Sequence, residues 1–271
     1  MQSEEATAIH RLHKGDSFSK VYASHRPSYP QRVFKGILDY HGDNKPSGCQ
    51  LAVDVCCGSG QSTIPLTEHF SKVVGVDISE EQLANMPKRT PNLVGCVAPA
   101  EDIPMLGNGT ADLVTIGSSI HWVDCERFFK EANRILKPGG TFAAFGYYLE
   151  SLDNEDAQKY MTKIRFNHLR KYLVVDRIKL IKDRYKTIEF PFRDLLRSKD
   201  IEKRVEMTLE HYLDYIRTFH YINMYYQENP EGDIMEQIQY RLIKILGDGE
   251  DDVKQIKVSV SWNFFFVLGR K

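Results

Sequence analysis

The chain has 271 residues, with 36 Lys+Arg against 37 Asp+Glu and a formal net charge of -1, so no global basic field draws it to nucleic acid or to anionic lipid. A hydrophobic share of 42% beside 27% charged residues excludes disordered, collagenous and membrane-spanning classes. The longest apolar runs, such as FFFVL at 264–268, fall far short of the ~20 residues that span a bilayer.

The first residues, MQSEEATAIHRLHKG, lack the apolar core of a secretory signal and open on acids, unlike a mitochondrial address. The expected compartment is the cytosol, with the nucleus also open to it. HRPSYP at 25–30 carries two prolines, which exclude a regular helix there. Residues 1–48 therefore read as an arm. Five cysteines are present, without a C-x-x-C pair, so neither a zinc site nor a disulfide frame is expected.

From 51 to 147, short apolar runs alternate with amphipathic stretches. LAVDVC (51–56) reads as a buried strand, followed by the turn CGSGQS and a short helix over 63–70. KVVGVD (72–77) is a second strand, and SEEQLANM (79–86) is a helix with a Ser N-cap and acids in its first turn. NLVGCV (92–97) and ADLVTIG (111–117) are the third and fourth strands. CERFFKEANRIL (125–136) has helical spacing, KPGG stops it, and TFAAFGY (141–147) is the fifth strand. This alternation predicts βαβ units: an α/β, Rossmann-like, doubly wound and mostly parallel sheet.

Beyond 148 the pattern changes. Residues 150–183 and 200–245 are charged and read as helix-periodic, with YKTIEFPF (185–192) extended between them. IKVSVSWNFFFVLGRK, at the end of the chain, reads as a late strand that completes the sheet. The expected organisation is an arm over 1–48, a core over 49–148, a mainly helical cap over 149–255 and the strand over 256–271. The charge runs RIKLIKDRYK and GDGEDD read as solvated faces, and Arg193 and Arg197 as surface arginines.

A glycine turn between first strand and first helix brings backbone N–H groups close to a ligand. Gly58-x-Gly60 alone says little. A nicotinamide cofactor would want a third glycine where Thr63 stands, and Asp54 just before the turn disfavours a diphosphate. Asp77 ends the second strand 19 positions after Gly58, the usual place for a carboxylate that accepts ribose hydroxyls. Together these residues point to S-adenosylmethionine (SAM), whose charged end is cationic.

VDVCCGSGQST, VVGVDIS, APAEDIP, ADLVTIGSSIHW and EANRILKPGG resemble the successive motifs of class I SAM-dependent methyltransferases. RPSYP, HW after the fourth strand, YKTIEFPF and TFHY (218–221) resemble the narrower family of trans-aconitate methyltransferase-like small-molecule enzymes. One departure is Cys56, ahead of Cys57, where the class usually has glycine; cysteine is small, and the turn is expected to survive.

The resemblance implies roles residue by residue. Asp54 orients the loop and, directly or through water, the methionine ammonium. Gly58 and Gly60 let the cofactor approach the backbone, Asp77 holds the ribose diol, and Ile78 lies against the adenine. Ala100 and Glu101 grip the adenine edge, while Gly117 and Ser118 flank the methionine part. Tyr22 and Arg26 close over the cofactor, Arg26 pairing with its carboxylate. His121 and Trp122 stand where cofactor and acceptor meet, His121 as a candidate proton acceptor and Trp122 as an aromatic face for a cation. Tyr215 and Phe219 are candidate walls of an acceptor pocket, with core packing as the competing reading.

The expected partner is a small-molecule acceptor, a carboxylate or another small nucleophile. No nucleic acid, membrane or metal is expected, and a monomer is the favoured state. A protein or RNA methyltransferase, a non-catalytic SAM-binding protein and a dehydrogenase are the competing functions.

Overall fold

A computed structural model describes residues 25–42, 49–87 and 90–271. Its centre is a sheet of nine strands. Strand β1 (Leu51–Val55) pairs in parallel with β2 (Lys72–Asp77) and β4 (Ala111–Gly117); β3 (Leu93–Val97) adds to β2, and β5 (Leu136–Tyr147) to β4. The last strand, β9 (Lys257–Arg270), runs antiparallel to β5, with Phe145 opposite Phe266. The order is β3-β2-β1-β4-β5-β9, a Rossmann-like α/β sheet.

The residues that build this sheet are apolar on both pleat faces, as a sheet covered twice demands. Ala52, Val73, Leu113, Ala143 and Phe145 point into one core, where helix α1 (Gln31–Gly42) supplies Val33, Phe34 and Ile37. Val53, Val55, Val74, Val76, Val114, Ile116 and Phe142 point into the other, against Phe128, Phe129 and Ile135 of helix α3 (Cys125–Ile135). Between them on the chain, Ser79 caps helix α2 (Glu80–Ala84), accepting from the Gln82 N–H.

Two expected elements differ. The helix over 63–70 is a single 3-10 stretch, Ile64–Glu68, with a proline at its start. Residues 200–208, expected to be helical, form strand β8 (Ile201–Thr208), antiparallel to β9. In IEKRVEMT, positions 202, 204 and 206 are exposed and 201, 203, 205 and 207 half-buried, a period of two whose charges also suit a helix surface. Strand β7 (Arg193–Arg197) pairs the end of β9, and β6 (Ser151–Leu152) pairs its beginning.

YKTIEFPF ends as an extended segment without a ladder. Its Phe192 ring stacks on Phe142 at 4.3 Å, and Phe190 lies 5.4 Å from Phe129. Pro191 lacks the N–H that a ladder would need.

The remaining helices are α4 (Glu155–Lys163), α5 (Val175–Lys182), α6 (Leu209–Arg217), α7 (His220–Glu228) and α8 (Ile234–Leu246). Much of this layer shares the core of α1 through Tyr212, Leu213, Ile216, Ile238 and Leu242. Among the described residues, no helix is long and apolar enough to cross a membrane.

Candidate functional site

Strands β1 and β4 lie side by side where the sheet order reverses, the place where open α/β sheets form a crevice. Both end by turning into left-handed backbone: Cys56 has φ +55° and Ser118 φ +50°. Glycine adopts that geometry freely, whereas another residue pays about 1–2 kcal/mol. The glycine usual at position 56 has a physical basis, and this chain carries a cysteine there at some strain.

After Cys56 the chain turns through Gly58 (φ +54°) and Gly60 (φ +91°). A Cβ added at Gly58 would meet only Gln82 Oε1, at 3.8 Å, so one side of the turn is open to close approach. Asp77 sits across from it. Its Oδ2 accepts from the Gly58 N–H at 2.8 Å, and its Oδ1 from the Ser79 N–H at 2.8 Å. The carboxylate thus ties the glycine turn to the start of α2 and retains lone pairs for further donors. Beside it Ile78 is 46% exposed.

Asp54 takes a different place. It is fully buried, and its carboxylate accepts from Ser62 (2.7 Å), Thr63 (2.7 Å) and Thr115 (2.6 Å). Burial raises its pKa, and the three hydroxyls oppose that rise. The carboxylate is engaged by these hydroxyls inside the fold, where it ties the loop to β4.

Gly117, at the end of β4, is closely packed. A Cβ there would fall 2.7 Å from the Phe145 ring and 3.2 Å from the Tyr29 hydroxyl, so its smallness serves packing. Ala100 is buried, and Glu101 Oε1 accepts from the Asp124 N–H at 2.8 Å. The thiols of Cys56 and Cys57 are pushed up by burial and by the nearby acids, which keeps them protonated and poorly nucleophilic.

Beyond Ser118 the crevice continues into a cavity of about 150 Å³, lined by His121, Trp122, Tyr215 and Phe219, the four residues expected there. It also reaches Arg26, Arg165 and Arg177. Arg165 is buried and paired with Glu150 at 2.5 Å, and its Nε donates to the Tyr221 hydroxyl at 3.0 Å. Glu150 also accepts from Tyr212 (3.0 Å) and Tyr215 (3.3 Å), and Trp262 Nε1 donates to the Tyr215 hydroxyl at 3.1 Å. The Tyr215 hydroxyl is therefore held in the wall. Arg26 lies 4.4 Å over the Phe219 ring and donates to the Thr218 carbonyl at 3.2 Å. This puts it against the cavity. Tyr22 lies outside the described residues.

A family model described as a methyltransferase domain matches residues 53–144, the stretch that holds β1 to β5 and the crevice. A Dictyostelium discoideum protein named as a methyltransferase is 29% identical over 259 residues, which cover 95% of each chain. A Saccharomyces cerevisiae protein named as a probable S-adenosylmethionine-dependent methyltransferase is 25% identical over 93% of this chain and 95% of its own. A solved structure from Anaeromyxobacter dehalogenans, assigned by name to type II methyltransferases, superposes with a TM-score of 0.73 at 27% identity and covers 90% of this chain and 97% of its own. Residues 53–144 form a methyltransferase domain, and the chain is a SAM-dependent methyltransferase.

The crevice of this methyltransferase suits its cofactor. The open glycine turn, the Asp77 carboxylate and the apolar face of Ile78 lie in sequence along it. Gln82 Oε1, buried beside the turn, has no hydrogen-bond partner among the described residues.

Sequence reasoning missed several residues around the cavity. Arg177 falls in the charge run taken as a solvated face, yet its guanidinium lies 4.4 Å over the Trp122 ring. Tyr185, in the same run, is fully buried. Glu150 and Arg165, 15 residues apart, meet as an ion pair, which no local pattern announces. A basic residue beside apolar neighbours in a weakly amphipathic helix was the one available sign for Arg177.

His121 is 9% exposed, and burial, with Arg177 and His220 nearby, pulls its pKa down to about 3. A neutral imidazole of so little basicity is a weak proton acceptor, which argues against the general-base reading. The unfolded chain, with a histidine pKa near 6.5, protonates first as the pH falls, so stability present above pH 6.5 is lost toward pH 3. His121→Asn should reduce the drop in unfolding free energy between pH 7 and pH 5 by about 2 kcal/mol, as measured by urea titration. An equal drop in both proteins would show that His121 is not buried neutral.

Proposed function

We propose that this methyltransferase acts on a small-molecule acceptor held in the cavity between the sheet and the 149–255 cap, with a carboxylate or another small nucleophile as the receiving group. The observation that carries the reading is the cavity itself. At about 150 Å³, walled by Trp122, Tyr215 and Phe219 and reached by three arginines, it suits a compact, electron-rich molecule better than a polymer. The motifs shared with trans-aconitate methyltransferase-like enzymes support the same reading.

SAM, when bound, supplies the methyl group and its own leaving group. The chain's residues bind and place. Asp77 takes the ribose hydroxyls, Ile78 packs against the adenine with Ala100 and Glu101 at its edge, and Gly58 and Gly60 admit the cofactor to the backbone. Ser118 stands where the crevice opens into the cavity. His121 and Trp122 orient the acceptor, and Arg26 and Arg177 favour an anionic one. Holding the acceptor in line with the methyl group, away from water, supplies most of what such a transfer needs from a protein.

Incubation with methyl-labelled SAM and a small-metabolite extract, read by mass spectrometry, tests the proposal. Label is expected in a low-molecular-mass product. Label confined to protein or RNA would reject it.

A further inference from the structure

We infer that Tyr185, Ser118 and His121 form a subsite at the inner end of the cavity that holds an oxyanion, a carboxylate or phosphate oxygen, of the acceptor. The inference rests on the proposed function and narrows its substrate class.

Three buried polar atoms, the Tyr185 hydroxyl, Ser118 Oγ and His121 Nδ1, have no hydrogen-bond partner among the described residues. Buried groups of this kind are almost always satisfied, and each one left unmet is costly. They also converge. A Cβ added at Gly146 on β5 would fall 3.0 Å from the Tyr185 hydroxyl and 3.2 Å from Ser118 Oγ, so both hydroxyls crowd one point. The Tyr185 and His121 rings stack with centroids 6.4 Å apart, and Ser118 and His121 line the cavity.

Tyr185 is held in place at a price. Its φ is +58°, rare for a bulky aromatic, and its ring is packed edge-on against Phe265 at 5.0 Å. Strained backbone under a buried, unmet hydroxyl is costly for the empty protein, as expected where a group awaits a ligand.

The chemistry of the three groups selects the ligand. Tyrosine and serine hydroxyls donate, and a neutral imidazole adopts the tautomer that puts its proton on Nδ1. Such donors match an accepting oxygen, and Arg26 and Arg177 around the same cavity favour one that carries charge. A lone buried water would meet the same groups, so the test must separate the two.

Acetate and inorganic phosphate serve as probes, titrated into the full chain with and without saturating S-adenosylhomocysteine and followed by the fluorescence of Trp122. SAM affinity and the thermal stability of the ligand-free protein are measured in parallel, for the wild type and Tyr185→Phe. At least one anion is expected to bind, with acetate marking a carboxylate and phosphate a phosphoryl group. The variant should bind that anion about tenfold more weakly or worse, keep its SAM affinity, and melt at the same temperature or higher. Equal anion affinity in both proteins, or binding of neither anion, overturns the inference. A lower melting temperature with unchanged anion binding also overturns it and marks a structural water. Failure of the wild type to bind SAM would defeat the proposed function, while the titrations without cofactor would still judge the subsite.

Discussion

Asp77→Ala should lower SAM affinity by about 100-fold or more in calorimetry. A charged acceptor contributes about 1.5–3 kcal/mol per hydrogen bond, and the proposed role gives Asp77 two ribose hydroxyls. The same carboxylate holds the Gly58 and Ser79 N–H groups, so its removal also loosens the turn that the cofactor must approach. Asp77→Asn keeps one oxygen acceptor and should fall between the two. Thermal melting separates the effects: the loss of affinity should greatly exceed what the change in melting temperature explains. Unchanged affinity in Asp77→Ala would reject the ribose role.

The second large effect falls on stability. Asp54→Ala should destabilise the protein by about 3–5 kcal/mol, because the hydroxyls of Ser62, Thr63 and Thr115 lose their common acceptor inside the fold. That is a large share of the total stability of a typical domain. Asp54→Asn offers one oxygen to Thr115 and an amide to two hydroxyls that can rotate to accept, and it removes a buried charge. Its cost should be less than half that of alanine. Denaturant unfolding of the three proteins measures this directly. An alanine variant as stable as the wild type would show that the Asp54 cluster does not hold the loop.

The sheet was legible because its signals are local. LAVDV, KVVGVD and ADLVTIG are short apolar runs bounded by turns, and their length matches strands covered on both faces. The glycine turn and Asp77 follow from fixed spacing between adjacent elements. The rest depends on contacts that no short window contains. Asp54 sits at the right position, but only the folded loop, which turns Ser62 and Thr63 inward, decides that its carboxylate faces them. Gly117 suggests a close approach, yet the approaching group is Phe145, from the neighbouring strand. IEKRVEMT hides a period of two among charges that also suit a helix. Arg165 meets Glu150, and Arg177 meets Trp122, only in the folded chain.

The central proposal is that one crevice binds the nucleoside of SAM through Asp77 and Ile78, beside an open glycine turn. A crystal structure of the protein with S-adenosylhomocysteine tests it most directly. The ribose hydroxyls should lie on the Asp77 carboxylate, the adenine against Ile78, and the sulfur should point toward Ser118 and the cavity. A ribose bound elsewhere, or an adenine remote from Ile78, would contradict it.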